Sequence, residues 1–345
     1  MTLPSSHALS PSQDTASARR PGLAAALVGA GLIFLAGCMS TPPRPHAKTE
    51  LWIDLMRGEE VSDEDVLADL TGAGAIYVGE AHTIQRHHAV QLRLLQELFA
   101  RGRPLVLCLE QLEARDQPAV DRYNRREIDF ATLAQEINWA KKWGNYADYR
   151  PLCEFARDHR IPVRGLNAPA DVIRAISRGG GLAKLPAEQR AHLPAEIFTD
   201  DPVYERLMNL ELAVHMAAMD PSRLRPMFEA QAARDETMAA NVVAARQSPG
   251  EPARTAFVVV GAGHMRFGLG TAERARRRDP ALVERLVLIT ESGQLQMSAA
   301  DKAVSREVTV SHADHRAIGR PPGDYLRVLP RRAAALPPGH PPLSP

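Results

Sequence analysis

The chain has 345 residues, 45% hydrophobic and 5% aromatic, with a formal net charge of +1 at pH 7. That balance gives no electrostatic case for a nucleic-acid partner, and the length exceeds the usual single core, so one large domain or a core with a subdomain is expected. Three cysteines without CxxC or zinc-finger spacing argue against a disulfide framework or a structural zinc site.

In chain order, residues 1–37 read as a targeting segment. Arg19 and Arg20 precede the apolar stretch 22–37, GLAAALVGAGLIFLAG, which is short for a membrane span and ends in small residues. Leu35, Ala36, Gly37 and Cys38 resemble a bacterial lipobox, implying cleavage before Cys38 and acylation there, palmitate included. An ordinary secretory signal and an uncleaved anchor helix are the alternatives. Ser40 after Met39 favours the outer membrane in Gram-negative sorting, so a lipoprotein facing the periplasm is expected. Acyl chains bury enough methylenes to anchor the chain without a spanning helix. Residues 38–50 form a Pro-rich tether, 51–330 the folded domain and 331–345 a Pro-rich disordered tail.

Within the domain, apolar runs predict strands at 75–79, 104–110, 161–167, 255–261 and 285–291, with an edge strand at 325–329. Helical patterns fill 86–101, the stretch to about 159, 169–247 and 268–278. In the first of these Val90, Leu94, Leu98, Leu95 and Phe99 share a stripe. The alternation predicts an α/β fold, a parallel-rich central sheet flanked by helices. Residues 169–250 are too long for one crossover helix; they predict an inserted helical subdomain over the C-terminal edge of the strands, broken at Pro186, Pro194, Pro202 and Pro221. Cys108 and Cys153 fit buried small apolar sites. The basic run Arg274, Arg276, Arg277 and Arg278 fits a solvated helix face.

Chemistry concentrates at the strand ends. The first strand runs into Gly79, Glu80 and His82, and the second ends at Glu110 and Gln111. The third ends at Asn167, and the fourth continues as Gly261, Ala262, Gly263 and His264. Parallel neighbours would bring all four ends to one rim, where open α/β sheets bind ligands. Gly261 and Gly263 would admit a close-lying ligand. Glu80, His82, Glu110 and His264 are the residue types that hold a divalent metal, and Glu80 or Glu110 could then act as general base for amide or ester hydrolysis. His87 and His88 open a helix, where the macrodipole disfavours a cation, so both are expected to be neutral and one of them functional.

The segments YVGEAHTIQRHHAVQLRLLQEL (77–98), LCLEQLEARDQPAVDRY (107–123), WGNYADYRPLCEFAR (143–157), LNAP (166–169), AQAARDETMAANV (230–242) and VVGAGHMRFGLG (259–270) together resemble the ChaN-like haem-binding lipoproteins of the Tiki/erythromycin-esterase-like superfamily. That resemblance implies a lipid-anchored haem-binding protein without turnover of its own, serving haem or iron uptake or storage, with haem shared as cofacial pairs in a homodimer. Candidate axial ligands are Tyr146, Tyr149, His82, His88 and His264. Arg150 and Arg266 are candidate partners for the propionates. Met208, Met216, Met219, Met227 and Met238 are candidate porphyrin contacts, although core packing suits most of them better. A divalent-metal hydrolase using the rim cluster is the alternative.

Overall fold

The computed structural model describes residues 50–215, 221–247, 253–292 and 318–330. The expected signal segment, most of the tether and the tail lie outside these residues, as do Met216 and Met219. Eight strands form one sheet: β1 (Leu51–Asp54), β2 (Glu59–Val61), β3 (Ala75–Glu80), β4 (Leu105–Glu113), β5 (Val163–Asn167), β6 (Thr255–Gly261), β7 (Glu284–Ser292) and β8 (Tyr325–Pro330). Their order is β2-β1-β8-β7-β3-β6-β4-β5. The six strands from β8 to β5 run parallel, and β1 pairs antiparallel with both β8 and β2.

The helices are α1 (Asp63–Leu70), α2 (Gln85–Ala100), α3 (Gln117–Asn124), α4 (Phe130–Glu136), α5 (Trp139–Lys142), α6 (Arg150–Asp158), α7 (Ala170–Gly179), α8 (Ala187–Arg190), α9 (Pro202–His215), α10 (Leu224–Arg246) and α11 (Thr271–Arg278). The expected strands appear, β6 with the expected bounds and the others shifted. β4 extends three residues past Glu110, and α11 starts at Thr271 rather than 268. β1, β2 and α1 were not predicted, because LWID, EEV and DEDVLADL carry too many charges for an apolar run. The expected edge strand β8 is interior, since β1 covers its outer side. The short helices expected between 169 and 250 appear as α7, α8 and α9. The region then ends in the 23-residue α10, whose Met238, Ala239 and Val242 pack onto the sheet.

Side-chain alternation along the strands builds two cores. Ile76, Val78, Leu107, Leu109, Phe257 and Val259 face α1, α2, α4 and α6, while Tyr77, Val106, Cys108, Val258 and Val260 face α10 and α11. Cys108 and Cys153 are buried free thiols, as expected. Carried two residues further, the same period sets Glu80 on the α2 face with Ile76 and Val78, and Glu110 on the α10 face with Val106 and Cys108. β6 lies between β3 and β4 although it follows both in sequence. The chain therefore reverses its winding there, and the ends of β3, β6 and β4 open side by side. Among the described residues no helix is long and apolar enough to cross a membrane.

Candidate functional site

The two strand-end carboxylates meet over β6. Glu80 pairs in register with Gly261, and the Gly261 N–H donates to Glu110 Oε2 at 2.6 Å. His82 lies across the strand end, with Nδ1 2.8 Å from Glu80 Oε1 and Nε2 4.0 Å from Glu110 Oε1. Gly261 makes room for that ring, since a Cβ there would stand 2.8 Å from its Cε1 and Nε2. The space expected for an external ligand is thus taken by the protein's own imidazole. Beyond Glu110, His264 Nε2 lies 3.3 Å from Glu110 Oε1 and its Nδ1 2.7 Å from Asp235 Oδ1 of α10. Asp235 also accepts from the Tyr204 hydroxyl at 2.6 Å and the Thr271 hydroxyl at 2.8 Å. The rim is therefore a chain of alternating acids and imidazoles: Glu80, His82, Glu110, His264, Asp235.

Glu80 is further enclosed from the α2 side. Gln91 Nε2 donates to its Oε2 at 2.7 Å, Gln111 Nε2 to Oε1 at 3.0 Å and the Tyr149 hydroxyl to Oε1 at 2.5 Å. Helix periodicity explains the delivery of Gln91 and His88. The buried stripe of α2 is His87, His88, Gln91, Leu94, Leu95 and Leu98, polar at the rim and apolar below it. This stripe is rotated from the predicted one; Val90 is half-buried and Phe99 is exposed, because the first turn must point at Glu80. His87 Nδ1 accepts the Ala81 N–H at 3.0 Å, which ties the turn after β3 to the helix start.

Charge follows the geometry. Burial opposes ionisation of Glu80, but the neighbouring His82 and His88 rings and the Tyr149 hydroxyl outweigh it and hold the carboxyl down at about 2. Glu110 is fully buried, yet the charge of His264 and then of His82 and Arg234 keep it well below the usual carboxylate range. Burial disfavours the His264 cation, but Glu110 and Asp235 outweigh it and push its pKa up to about 10. His82 is shifted upward against burial by Glu80 and Glu110. Burial shifts His87 downward, in keeping with the expected neutral ring at a helix start. The Tyr149 phenol is pushed far up by burial and by the Glu80 charge.

The expected convergence of Glu80, His82, Glu110 and His264 is present, and both nitrogens of His264 face carboxylates. Among the described residues no group of three or more His, Cys, Asp or Glu side chains is arranged to hold a metal ion. The rim acids are occupied by N–H and O–H donors. Both His264 nitrogens are engaged in the same way, Nε2 beside Glu110 and Nδ1 beside Asp235. The Tyr149 hydroxyl is likewise engaged, as a donor to Glu80. Tyr146 is half-buried, stacked on Phe130 at 6.2 Å and tilted against Trp139 at 5.8 Å, and packs against the main core.

His88 differs. It is buried, with its Nε2 3.3 Å from Glu80 Oε2, yet neither ring nitrogen has a well-aligned hydrogen-bond partner among the described residues. Its ring packs on Tyr149 with centroids 4.5 Å apart. It also lines a surface cleft of about 320 Å³ between α2 and the turn leading into α6, walled by Ala89, Leu92, Ala147, Pro151 and Leu152, with Gln85 and Asp148 also at its edge. Gln85 Nε2 reaches Asp148 Oδ1 at 3.1 Å. Arg150 follows Asp148 closely but is exposed and ion-paired with Glu154 at 2.8 Å. Arg266 belongs to the turn after β6 and does not line this cleft. Met208 packs beside Tyr204 and Phe228, Met227 is half-buried, and neither lines it.

Sequence reasoning did not single out Gln91, Tyr204, Asp235 or Thr271. The usable sign for Asp235 was its setting: Arg234, Asp235 and Glu236 sit in the small-residue run Ala230, Ala232, Ala233 and Ala239, and a helix buried on all sides makes its charges purposeful.

A family model described as "Haem-binding uptake, Tiki superfamily, ChaN" matches residues 66–275. No curated protein matches the sequence. Among solved structures, one described as "Cofacial heme binding to ChaN of Campylobacter jejuni" has a TM-score of 0.61 at 17% identity, covering 82% of this chain and 98% of that one. A mutant of the erythromycin esterase EreC in its open conformation gives a TM-score of 0.41 at 13% identity over 72% of this chain and 81% of its own.

Proposed function

The chain belongs to the haem-binding uptake family ChaN of the Tiki superfamily, and from that membership we propose that it binds haem at the cleft over His88. One observation carries the location: a buried imidazole with no well-aligned hydrogen-bond partner lines an apolar surface cleft. Buried polar groups are nearly always satisfied, so such a ring suits a ligand approaching from the cleft. Glu80 beside Nε2 would orient the imidazole, as outer partners of metal-bound histidines do. Haem would supply an iron with axial positions for nitrogen donors and a flat apolar body. Ala89, Leu92, Pro151 and Leu152 offer the matching surface, and Arg150, next in sequence to the lining residue Pro151, is the candidate for a propionate once it leaves Glu154. Adding hemin to the purified protein is expected to give a saturable, near-stoichiometric Soret band; absence of saturable binding overturns the proposal.

The protein's setting is part of the same proposal. Cys38 carries the lipid anchor, the domain faces the periplasm from the outer membrane, and the chain serves haem uptake or storage without turnover of its own. The support is the lipobox-like LAGC and the apolar run before it. Labelled palmitate should enter the wild type and not Cys38→Ser, and the variant should leave the membrane fraction. A wild type that stays soluble and unlabelled contradicts the anchor. Two chains meeting cleft to cleft around cofacial haems rests on family membership, and light scattering with and without hemin tests it. A mass that stays monomeric at haem saturation opposes it.

A further inference from the structure

The basic run of α11 is solvated only in part: Arg277 is exposed and Arg276 and Arg278 are half-buried. Arg274 is fully buried, its guanidinium 5.1 Å from the Tyr204 ring centroid. Arg277 and Arg278 line a cleft of about 720 Å³ together with Arg190, Leu182, Ile197 and Phe198. The cleft lies away from His88 and shares no lining residue with the haem cleft. Glu236 sits at its inner wall, next in sequence to the rim residue Asp235. Arg274 Nε is 3.3 Å and Arg277 Nη2 2.6 Å from Glu236 Oε1, and Arg278 pairs with Oε2. Three guanidiniums thus share one buried carboxylate.

That ratio leaves positive charge and N–H donors in excess. A carboxylate accepts about four hydrogen bonds, whereas each guanidinium offers five donors. Asp201 lies 3.8 Å from Arg274 Nη1 and offsets part of that residue's charge. Arg190 is held by the carbonyls of Pro194 and Ala195 at 2.5 and 2.6 Å, which fixes its charge at the cleft without neutralising it. Arg277 stacks on the Phe198 ring at 4.5 Å. Glu196 at the cleft is exposed, and a charge facing water screens the interior weakly. The surface therefore offers oriented, partly buried guanidiniums beside the apolar side chains of Leu182, Ile197 and Phe198.

We propose that this cleft binds a phosphate monoester carried on an apolar body, with Arg277 and Arg278 gripping the phosphate and Leu182, Ile197 and Phe198 receiving the apolar part. Guanidinium pairs bidentately with phosphate oxygens, and charge-assisted bonds of this kind are the stronger ones. The same headgroup chemistry occurs free and in membrane lipids, so the test separates the two sources.

Titrate the full chain by calorimetry with decyl phosphate, decanol and inorganic phosphate, and test its Cys38→Ser form, which lacks the acyl anchor, by flotation with vesicles of neutral lipid containing or lacking a phosphatidic acid. Decyl phosphate is expected to bind saturably, with inorganic phosphate at least about tenfold weaker and decanol without effect. Arg277→Gln with Arg278→Gln should weaken decyl phosphate at least about tenfold. Flotation that requires phosphatidic acid and is lost in the double variant identifies a lipid source. Binding of decyl phosphate without flotation identifies a soluble one. Should the double variant melt early, Ile197→Ser supplies the independent arm, weakening decyl phosphate while leaving inorganic phosphate unchanged. No saturable binding by the wild type, or affinity untouched in both variants, overturns the proposal.

Discussion

The two flanks of the rim place similar residues in opposite conditions. On the Asp235 flank, His264 is clamped between two carboxylates, and Asp235 is backed by the Tyr204 and Thr271 hydroxyls. On the α2 flank, His88 stands beside one carboxylate that already receives Gln91, Gln111, His82 and Tyr149, and its ring lines a cleft. An imidazole becomes structural when its neighbours supply both acceptors, and available when they are spent elsewhere. Two buried histidines beside the same rim thus carry different chemistry.

The largest expected effect tests the closed flank. Asp235→Ala removes one partner of a buried ion pair and strands His264, Tyr204 and Thr271, and it should cost about 3–5 kcal/mol in urea unfolding. A loss below about 1 kcal/mol would mean the clamp is not structural. Gly261→Ala comes next. Its methyl would press on the His82 ring, and overpacking of that kind costs about 1–3 kcal/mol. Unchanged stability would show that His82 moves freely and does not join the two flanks.

A smaller effect within the accessible range is the pH dependence. His264 rises from 6.5 to about 10 on folding, so its contribution is complete below about pH 6.5 and fades as pH climbs through about 10. Glu80 falls from 4.5 to about 2, so its contribution is complete above about pH 4.5 and fades as pH drops through about 2. Stability should hold level between these limits and decline on either side. His264→Gln should flatten the alkaline decline; parallel curves for variant and wild type would contradict the charged clamp. The smallest effect concerns metal. Zinc or manganese is expected to leave the melting temperature unchanged, because the rim acids are already engaged by protein donors; a saturable rise would revive the hydrolase reading.

The contrast also explains what could be read from the chain. β3, β4, β6 and β7 were legible because buried parallel strands are continuous apolar runs, and GEAH and GAGH stood at their ends. β1 and β2 were not, since a short antiparallel ribbon with one solvated face carries charges such as Glu59 and Glu60. The interior place of β8 depends on pairing with β1, a long-range choice that no local pattern encodes. Of the site, Glu80, His82, Glu110, His264 and Tyr149 were legible as polar or aromatic residues in telling contexts. Asp235 was not, because a carboxylate amid helical Arg and Glu looks solvated until the neighbouring helix and strand cover it. Of the α11 arginines, Arg274 misled in the same way, as its cover comes from Phe198 and Glu236, some 40 to 80 positions away.

The central claim is that haem capture belongs to the open imidazole and not to the clamped one. Hemin titrated side by side into wild type, His88→Ala and His264→Gln, followed at the Soret band, tests it most directly. The expected result is at least about tenfold weaker binding for His88→Ala, with His264→Gln retaining the wild-type affinity. Full binding by His88→Ala, with loss confined to His264→Gln, would contradict it.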